Sequence, residues 1–190
     1  MDEFLTFFKV FSTYFLVIFL YQSIVQQLQK KITRLKKLKD DYMKSYEKCV
    51  RGHKLSKVSS PNDFVQKEMI ASDNNLTKAK QQLETDDYLN SISSAYYAMF
   101  HAVKALTLNK GIQEKNHVCL ISSLQELYVK TGEMKPKYIQ SIDECFKLNQ
   151  AANSEKKLYK ENAETAVSYA IEFSSVAHGL LDGTILREVL

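Results

Sequence analysis

One stretch, residues 87–109, constrains the fold more than any other part of this chain. As a helix it carries two stripes whose members recur at spacings of three and four residues. The first stripe consists of large side chains: Ile92, Tyr96, Met99, Val103 and Leu106. The second consists of small side chains, which allow a neighbouring backbone to approach closely: Ser91, Ser94, Ala95, Ala98, Ala102 and Ala105. The sequence therefore predicts a helical bundle in which this helix has neighbours on two sides.

Four further segments show helical periodicity: 62–84, about 116–130, 136–153 and 160–181. Only 5 glycines and 2 prolines occur in 190 residues, which favours long helices with short connections. No segment alternates with period two, so no strand is predicted. The predicted fold is all-α, an antiparallel up-down four-helix bundle of four to five helices over residues 61–185. The inward positions predicted for the first of these helices are Phe64, Ile70, Leu76, Ala79 and Leu83.

Residues 1–26 form the most apolar part of the chain and predict an N-terminal hydrophobic helix. As a helix, residues 4–25 would rise about 33 Å, close to the roughly 30 Å hydrocarbon core of a bilayer. Basic residues follow this stretch, an order that favours a membrane anchor with the bundle facing the cytoplasm. The alternatives are a buried hydrophobic helix, or an extension of a soluble cytoplasmic protein.

Residues 27–60 predict a basic helical stalk or linker. Within this region, residues 30–57 hold eleven Lys or Arg against three acidic residues, a net charge of +8. Residues 58–190 have a net charge of −3, so the basic character belongs to one segment and not to the main domain. A weak coiled-coil stalk in a homodimer and a helix lying on anionic lipid headgroups both fit this pattern.

The three cysteines, Cys49, Cys119 and Cys145, are widely spaced and form no Cys-x-x-Cys or Cys/His ligand pattern. They are predicted to be reduced, structural thiols. No glycine-rich phosphate loop occurs, and no cofactor or metal site is predicted.

Three stretches carry a resemblance to a known family: "SAYYAMFHAVKALTLNKGI", "NHVCLISSLQELYVKTGEM" and "FKLNQAANS". Together they resemble the HEPN superfamily, and in particular its small prokaryotic stand-alone branch, over about residues 64–182. The resemblance implies a helical bundle that commonly dimerises. It also implies one of three activities: RNA cutting by a toxin or effector through an Arg-x4–6-His motif, nucleotide binding, or pairing with a nucleotidyltransferase.

The polar signature of that family is altered in this chain. The related stretch reads Leu-Arg-x-x-Ala-Asp-Tyr, which places the family's Arg at Asn149, its Asp at Asn153 and its Tyr at Ser154. RNA cleavage needs a group that moves a proton and a cation that stabilises charge on the phosphate, and an amide supplies neither. The sequence therefore favours a membrane-tethered module without catalysis that acts by binding: by self-association, or by binding a partner protein, RNA or a nucleotide. The alternative is a ribonuclease effector of a toxin–antitoxin or defence system with a non-standard site.

The candidate binding groove comprises Asn149, Asn153, Tyr96, Tyr97, His101 and His117, and the candidate phosphate contacts are Lys147, Lys156 and Lys157. Asn149 and Asn153 are four apart and lie on one side of a helix, where buried amides need partners. They either bond to each other, to tyrosines or to a dimer mate, or they line a neutral nucleotide or peptide groove. The tyrosines and histidines are equally open to a packing role.

Overall fold

The computed structural model describes residues 18, 20–30, 32–33, 37, 45–59, 62–154 and 160–183. The chain divides into two compact units, Met1–Asp40 and Asp41–Leu190. The described residues of the first unit are helical. Most of the predicted membrane segment, residues 4–17 and 19, lies outside the described residues. Within the described part of the chain, no helix has the length and apolarity required to cross a bilayer.

The described residues of the second unit form five α-helices and two short strands, after a helical segment at residues 45–51. In chain order these elements are β1 (Leu55–Lys57), α1 (Asn62–Glu84), α2 (Tyr88–Asn109), β2 (Ile112–Glu114), α3 (His117–Leu124), α4 (Lys137–Asn153) and α5 (Lys160–Leu181). A π-helical turn, Gln125–Val129, continues α3. The predicted all-α bundle is confirmed, and the helical segments lie where the periodicity placed them.

Helix α2 is the central element and packs against α1, α3, α4 and α5. Its large-residue stripe is buried throughout, and its small-residue stripe is buried except at the half-buried Ser94. Two buried hydroxyls cross between α1 and α2. Ser72 Oγ donates to the Ala98 carbonyl and Ser91 Oγ donates to the Ala79 carbonyl, each at 2.8 Å. Because both hydroxyls have partners, the two helices come close without leaving a buried polar group unsatisfied.

The predicted inward face of α1 is wrong at its N-terminal half. Phe64 and Ile70 are 58% and 61% exposed, whereas Val65, Met69 and Ser72 are buried. The spacing of apolar residues predicted the wrong buried face of α1, because Ser72 occupies a core position, where its hydroxyl donates a hydrogen bond to α2. Further along the helix Ala79 is buried as predicted, and Leu76 and Leu83 are half-buried.

The prediction that no strand forms is also wrong. Strands β1 and β2 pair antiparallel, with Leu55 opposite Glu114. Each strand has three residues, too few for an alternating pattern to be visible in the sequence. The turn before β2 requires Gly111, whose φ is +74° and whose added Cβ would lie 3.2 Å from the Val58 carbonyl oxygen. Residues 45–59, which the sequence assigned to the stalk, belong to the same compact unit as the bundle.

Cys49 and Cys119 form a disulfide, so the prediction of reduced thiols is wrong for this pair. Their Cα atoms are 5.7 Å apart although 70 residues separate them in sequence. Sequence spacing carries no information about pairing at that separation. The bond joins the helical segment at residues 45–51 to α3. Cys145 is free and buried, and burial raises the pKa of its thiol to about 12.

The close approach of α1 and α2 gives the first testable prediction. The variant Ala98→Leu inserts three carbon atoms where Ala98 is 1% exposed, and we expect it to lower the free energy of unfolding by about 1–3 kcal/mol. Ser168→Leu makes a comparable change at an exposed position of α5 and is expected to change stability by less than about 0.5 kcal/mol. Urea denaturation measures both. Equal stability of the two variants would contradict this packing.

Candidate functional site

Five side chains from three helices form an aromatic cluster: Tyr96, Tyr97 and Phe100 of α2, His117 of α3, and Phe146 of α4. The His117 ring stacks on Phe146 at a centroid distance of 4.5 Å and an interplanar angle of 24°. Phe100 is the second stacking partner, at 6.1 Å and 19°. Tyr97 lies at the rim, 48% exposed, with its ring 5.3 Å from that of Tyr96. The cluster thus extends from the buried Tyr96, through three half-buried rings, to the exposed Tyr97.

The surroundings of His117 favour the neutral form of its ring. Its Nδ1 shares a hydrogen bond of 3.0 Å with the hydroxyl of Tyr96. Burial lowers the pKa of His117, although the nearby negative charge of Asp143 opposes that shift. Burial also raises the pKa of Tyr96, so its hydroxyl keeps its proton. With the hydroxyl as donor, the ring proton of His117 lies on Nε2.

The first turn of α3 fixes where this ring lies. Asn116 precedes the helix in an extended conformation, and its Oδ1 accepts a hydrogen bond from the Cys119 N–H at 2.9 Å. An asparagine at this position is a favoured helix cap, because it satisfies an N–H that has no partner within the helix. His117 is the first residue of α3, so the cap also positions the imidazole.

The amide pair lies on α4, beyond Phe146. Asn149 is 6% exposed, and its Oδ1 accepts a hydrogen bond from Asn153 Nδ2 at 3.4 Å. This contact is at the long limit for a hydrogen bond and is correspondingly weak. The two amides therefore bond to each other, as one of the two interpretations expected. Asn153 is exposed, so its carbonyl oxygen and the rest of its amide face solvent.

His101 belongs to a separate polar cluster with Glu68 of α1 and Lys104 of α2. His101 Nδ1 lies 2.6 Å from one carboxylate oxygen of Glu68, and Lys104 Nζ lies 2.6 Å from the other. Burial alone would raise the pKa of Glu68, but the hydrogen bonds from His101 and Lys104 outweigh it and hold the pKa below its usual range. Phe100 separates the two histidines, with its ring 5.7 Å from that of His101.

Of the three predicted phosphate contacts, Lys147 lies within the described residues. Lys147 Nζ donates to the Asp143 carboxylate at 2.6 Å on the exposed side of α4, so its charge is already paired. Lys156 and Lys157 lie outside the described residues. In the described part of the five helices there is no arginine, and hence no guanidinium that could grip a phosphate through two donors.

The sequence did not identify two members of the aromatic cluster as site residues, Phe100 and Phe146. Phe100 follows Tyr96 by four residues, and Phe146 precedes Asn149 by three, so both lie on the same helix face as a predicted site residue. That spacing was a usable signal. The stacking of Phe146 on His117 could not be predicted from sequence spacing, because only the tertiary fold brings α3 and α4 together.

As arranged, the site offers aromatic rings, a neutral histidine and a pair of amides. Ring faces stack on nucleobases, and an amide can pair with the polar edge of a base. The same groups supply no fixed positive charge, so the cluster is better suited to recognising a base than to stabilising a phosphate transition state.

Comparisons with known proteins agree with one another. A family profile described as "HEPN domain" matches residues 69–180. A Methanocaldococcus jannaschii protein named "Putative toxin MJ0605" is 31% identical over 103 residues, which is 54% of this chain and 77% of that protein. A second protein of that organism, named "Putative toxin MJ0142", is 33% identical over 98 residues, 47% of this chain and 67% of that protein. The crystal structure of TT1696 from Thermus thermophilus aligns with a TM-score of 0.52 at 17% identity, over 60% of this chain and 95% of that one.

The neutral state of His117 predicts a specific pH dependence of stability. A folded histidine that resists protonation binds fewer protons than the unfolded chain below about pH 6.5. The free energy of unfolding must therefore fall as the pH falls through that region, by at most about 1.4 kcal/mol per pH unit for one group. His117→Asn removes the titrating ring, so we expect a shallower slope between pH 7 and pH 5.

A matched control for this variant is His53→Asn. His53 is exposed, and its φ of +50° is a conformation that asparagine tolerates. Urea denaturation at a series of pH values gives the slopes. An undiminished slope in His117→Asn, or an equal loss in His53→Asn, would contradict the neutral, half-buried imidazole.

Proposed function

This chain belongs to the HEPN family, and from that membership we propose that it binds single-stranded RNA or a nucleotide at the aromatic cluster without cutting RNA. The observation that carries the proposal is the state of His117. Its ring stacks on Phe146 and on Phe100, and its Nδ1 shares a hydrogen bond with the hydroxyl of Tyr96. A general base of a ribonuclease needs a lone pair directed at the attacking hydroxyl. When Tyr96 donates to Nδ1, the lone pair of His117 is directed at that tyrosine.

The exposed edge of the cluster supports base binding. Tyr97 is 48% exposed although it is aromatic, and the exposed amide of Asn153 lies on the neighbouring helix α4. Proteins that hold single-stranded RNA place bases on such rings and bond to their edges with amide and backbone groups. In place of the family's charged pair, Asn149 and Asn153 supply dipoles, which suit a neutral base better than a phosphate.

A second candidate function is RNA cleavage as a toxin or defence effector. Two relatives carry toxin names, and the polar cluster around Glu68 gives this function a specific basis. Glu68 binds Nδ1 of His101 and thereby orients the ring with Nε2 directed away from the carboxylate. Lys104 adds a cation, yet its ammonium is already bonded to the same carboxylate. Binding without cleavage is therefore the better-supported function.

Base stacking gives the first test. We expect Tyr97→Ala to weaken binding of a short single-stranded RNA by about 1–3 kcal/mol, because it removes an exposed stacking surface. The matched control is Phe64→Ala, which removes an exposed ring from α1. Fluorescence anisotropy with a labelled oligoribonucleotide measures both. The proposal fails if the RNA does not bind to the unaltered chain, or if both variants weaken it equally.

The second candidate has its own test. If the chain cuts RNA, His101→Ala should abolish the cutting, whereas His178→Ala should leave it unchanged. His178 of α5 is a matched histidine, since its Nε2 also pairs with a carboxylate, that of Asp73, at 3.0 Å. Denaturing gels of labelled RNA give the result. Binding without cleavage predicts full-length RNA with the unaltered chain and with both variants.

A further inference from the structure

A cavity of about 400 Å³ lies beside the aromatic cluster and shares His117 with it. One wall comes from residues 45–54 and includes Lys48 and Lys54. The opposite wall is the start of α3, with Asn116 and His117, and the Cys49–Cys119 disulfide joins the two walls. Residues 45–54 precede the part of the chain that matches the HEPN domain, residues 69–180. The cavity is therefore built in part by a segment that lies outside the family match.

Two of the residues that line this cavity are cations, Lys48 and Lys54. Among the described residues, no carboxylate pairs with the ammonium group of Lys48 or of Lys54. Glu47, the acidic residue next to Lys48, points its carboxylate to Arg51 at 3.9 Å. Two cations that line one cavity, and that no described carboxylate pairs with, attract an anion. Two of the eleven basic residues in 30–57 thus line this cavity.

The opposite wall offers neutral donors. Asn116 Oδ1 is used in capping α3, and no hydrogen bond within the described residues engages its Nδ2 group. His117 carries its ring proton on Nε2 when Tyr96 donates to Nδ1. An anion between the walls would therefore meet ammonium groups on one side and N–H donors on the other, and phosphate oxygens accept from both.

We propose that this cavity binds a phosphate group of the single-stranded RNA whose base stacks on the aromatic cluster, and that the Cys49–Cys119 disulfide keeps Lys48 in place for that contact. The inference rests on the proposed function. It adds a phosphate contact, and it makes RNA binding depend on the redox state of the Cys49–Cys119 pair. His117 is common to the cavity and the cluster, so a nucleotide at this point can engage both.

Reduction should affect the two lysines differently. A dithiol reductant gives two electrons and two protons to the disulfide, which becomes two thiols, while the reductant closes into a cyclic disulfide. Lys54 stays attached to the bundle, because its carbonyl accepts a hydrogen bond from the Lys115 N–H at 3.0 Å and β1 remains paired with β2. Lys48 lies on the helical segment at residues 45–51, which loses its covalent link to α3.

The test uses the full chain and a labelled single-stranded oligoribonucleotide, with fluorescence anisotropy at several salt concentrations before and after treatment with dithiothreitol. In the oxidised protein, Lys48→Gln should make the plot of the log association constant against log salt concentration less steep by about 0.7. This change is equivalent to roughly four-fold weaker binding at 0.15 M salt. Reduction of the unaltered chain should have the same effect. Reduction of Lys48→Gln should have no additional effect, because the contact is already lost.

Two further variants complete the test. Cys49→Ser/Cys119→Ser should bind as weakly as the reduced chain and should not respond to dithiothreitol. Lys80→Gln removes an exposed lysine of α1 that does not line this cavity, and it should bind like the unaltered chain in both redox states.

The outcomes separate this inference from the function on which it rests. The phosphate site is overturned if RNA binds and Tyr97→Ala weakens it, yet Lys48→Gln leaves affinity and salt slope unchanged. The role of the disulfide is overturned if reduction leaves RNA affinity unchanged, or if reduction weakens RNA binding further in Lys48→Gln. Absence of RNA binding in both redox states overturns the proposed function itself.

Discussion

The close packing of α2 on α1 is the constraint on which the rest of this structure depends. Serine and alanine side chains let the two backbones approach, and the hydroxyls of Ser72 and Ser91 bond to carbonyl groups across the interface. With that face of α2 used for α1, the rotation of α2 about its axis is fixed. The same rotation directs Tyr96 towards α3 and α4 and leaves Tyr97 at the surface. The position of the candidate site is thus a consequence of core packing.

The chemistry of the site follows from what surrounds His117. An imidazole stacked on Phe146 loses hydration, which disfavours its charged form, and the nearby Asp143 does not overcome that effect. Amides occupy the positions at which the family resemblance expects charge. The described part of α1 to α5 contains no arginine, and the lysines that line the neighbouring cavity lie on a different segment, at residues 45–54. The proposed function therefore assigns base recognition and phosphate recognition to separate parts of the chain, which a disulfide joins.

The sequence predicted the bundle well because long helices with two buried stripes leave few alternatives. It failed where a single polar residue or a long-range pairing decides the structure. Because Ser72 lies in the core, the buried face of α1 does not include Phe64. Strand β1 pairs with a strand more than fifty residues away in sequence. At the site, the amide pair was visible in the sequence, whereas the stacking on His117 and the bond between Cys49 and Cys119 arise only when distant segments meet. The homodimer, the nucleotidyltransferase partner and the membrane attachment stay predictions.

The central claim is that a neutral His117, packed among aromatic rings, belongs to a surface that binds RNA. Side-chain ¹⁵N NMR of labelled histidine, recorded with and without a short single-stranded RNA, tests it most directly. The account predicts a neutral His117 with its proton on Nε2 at pH 7, and resonances that shift when RNA is added while the RNA stays intact. A protonated His117 at pH 7, or resonances that RNA leaves unchanged, would contradict it.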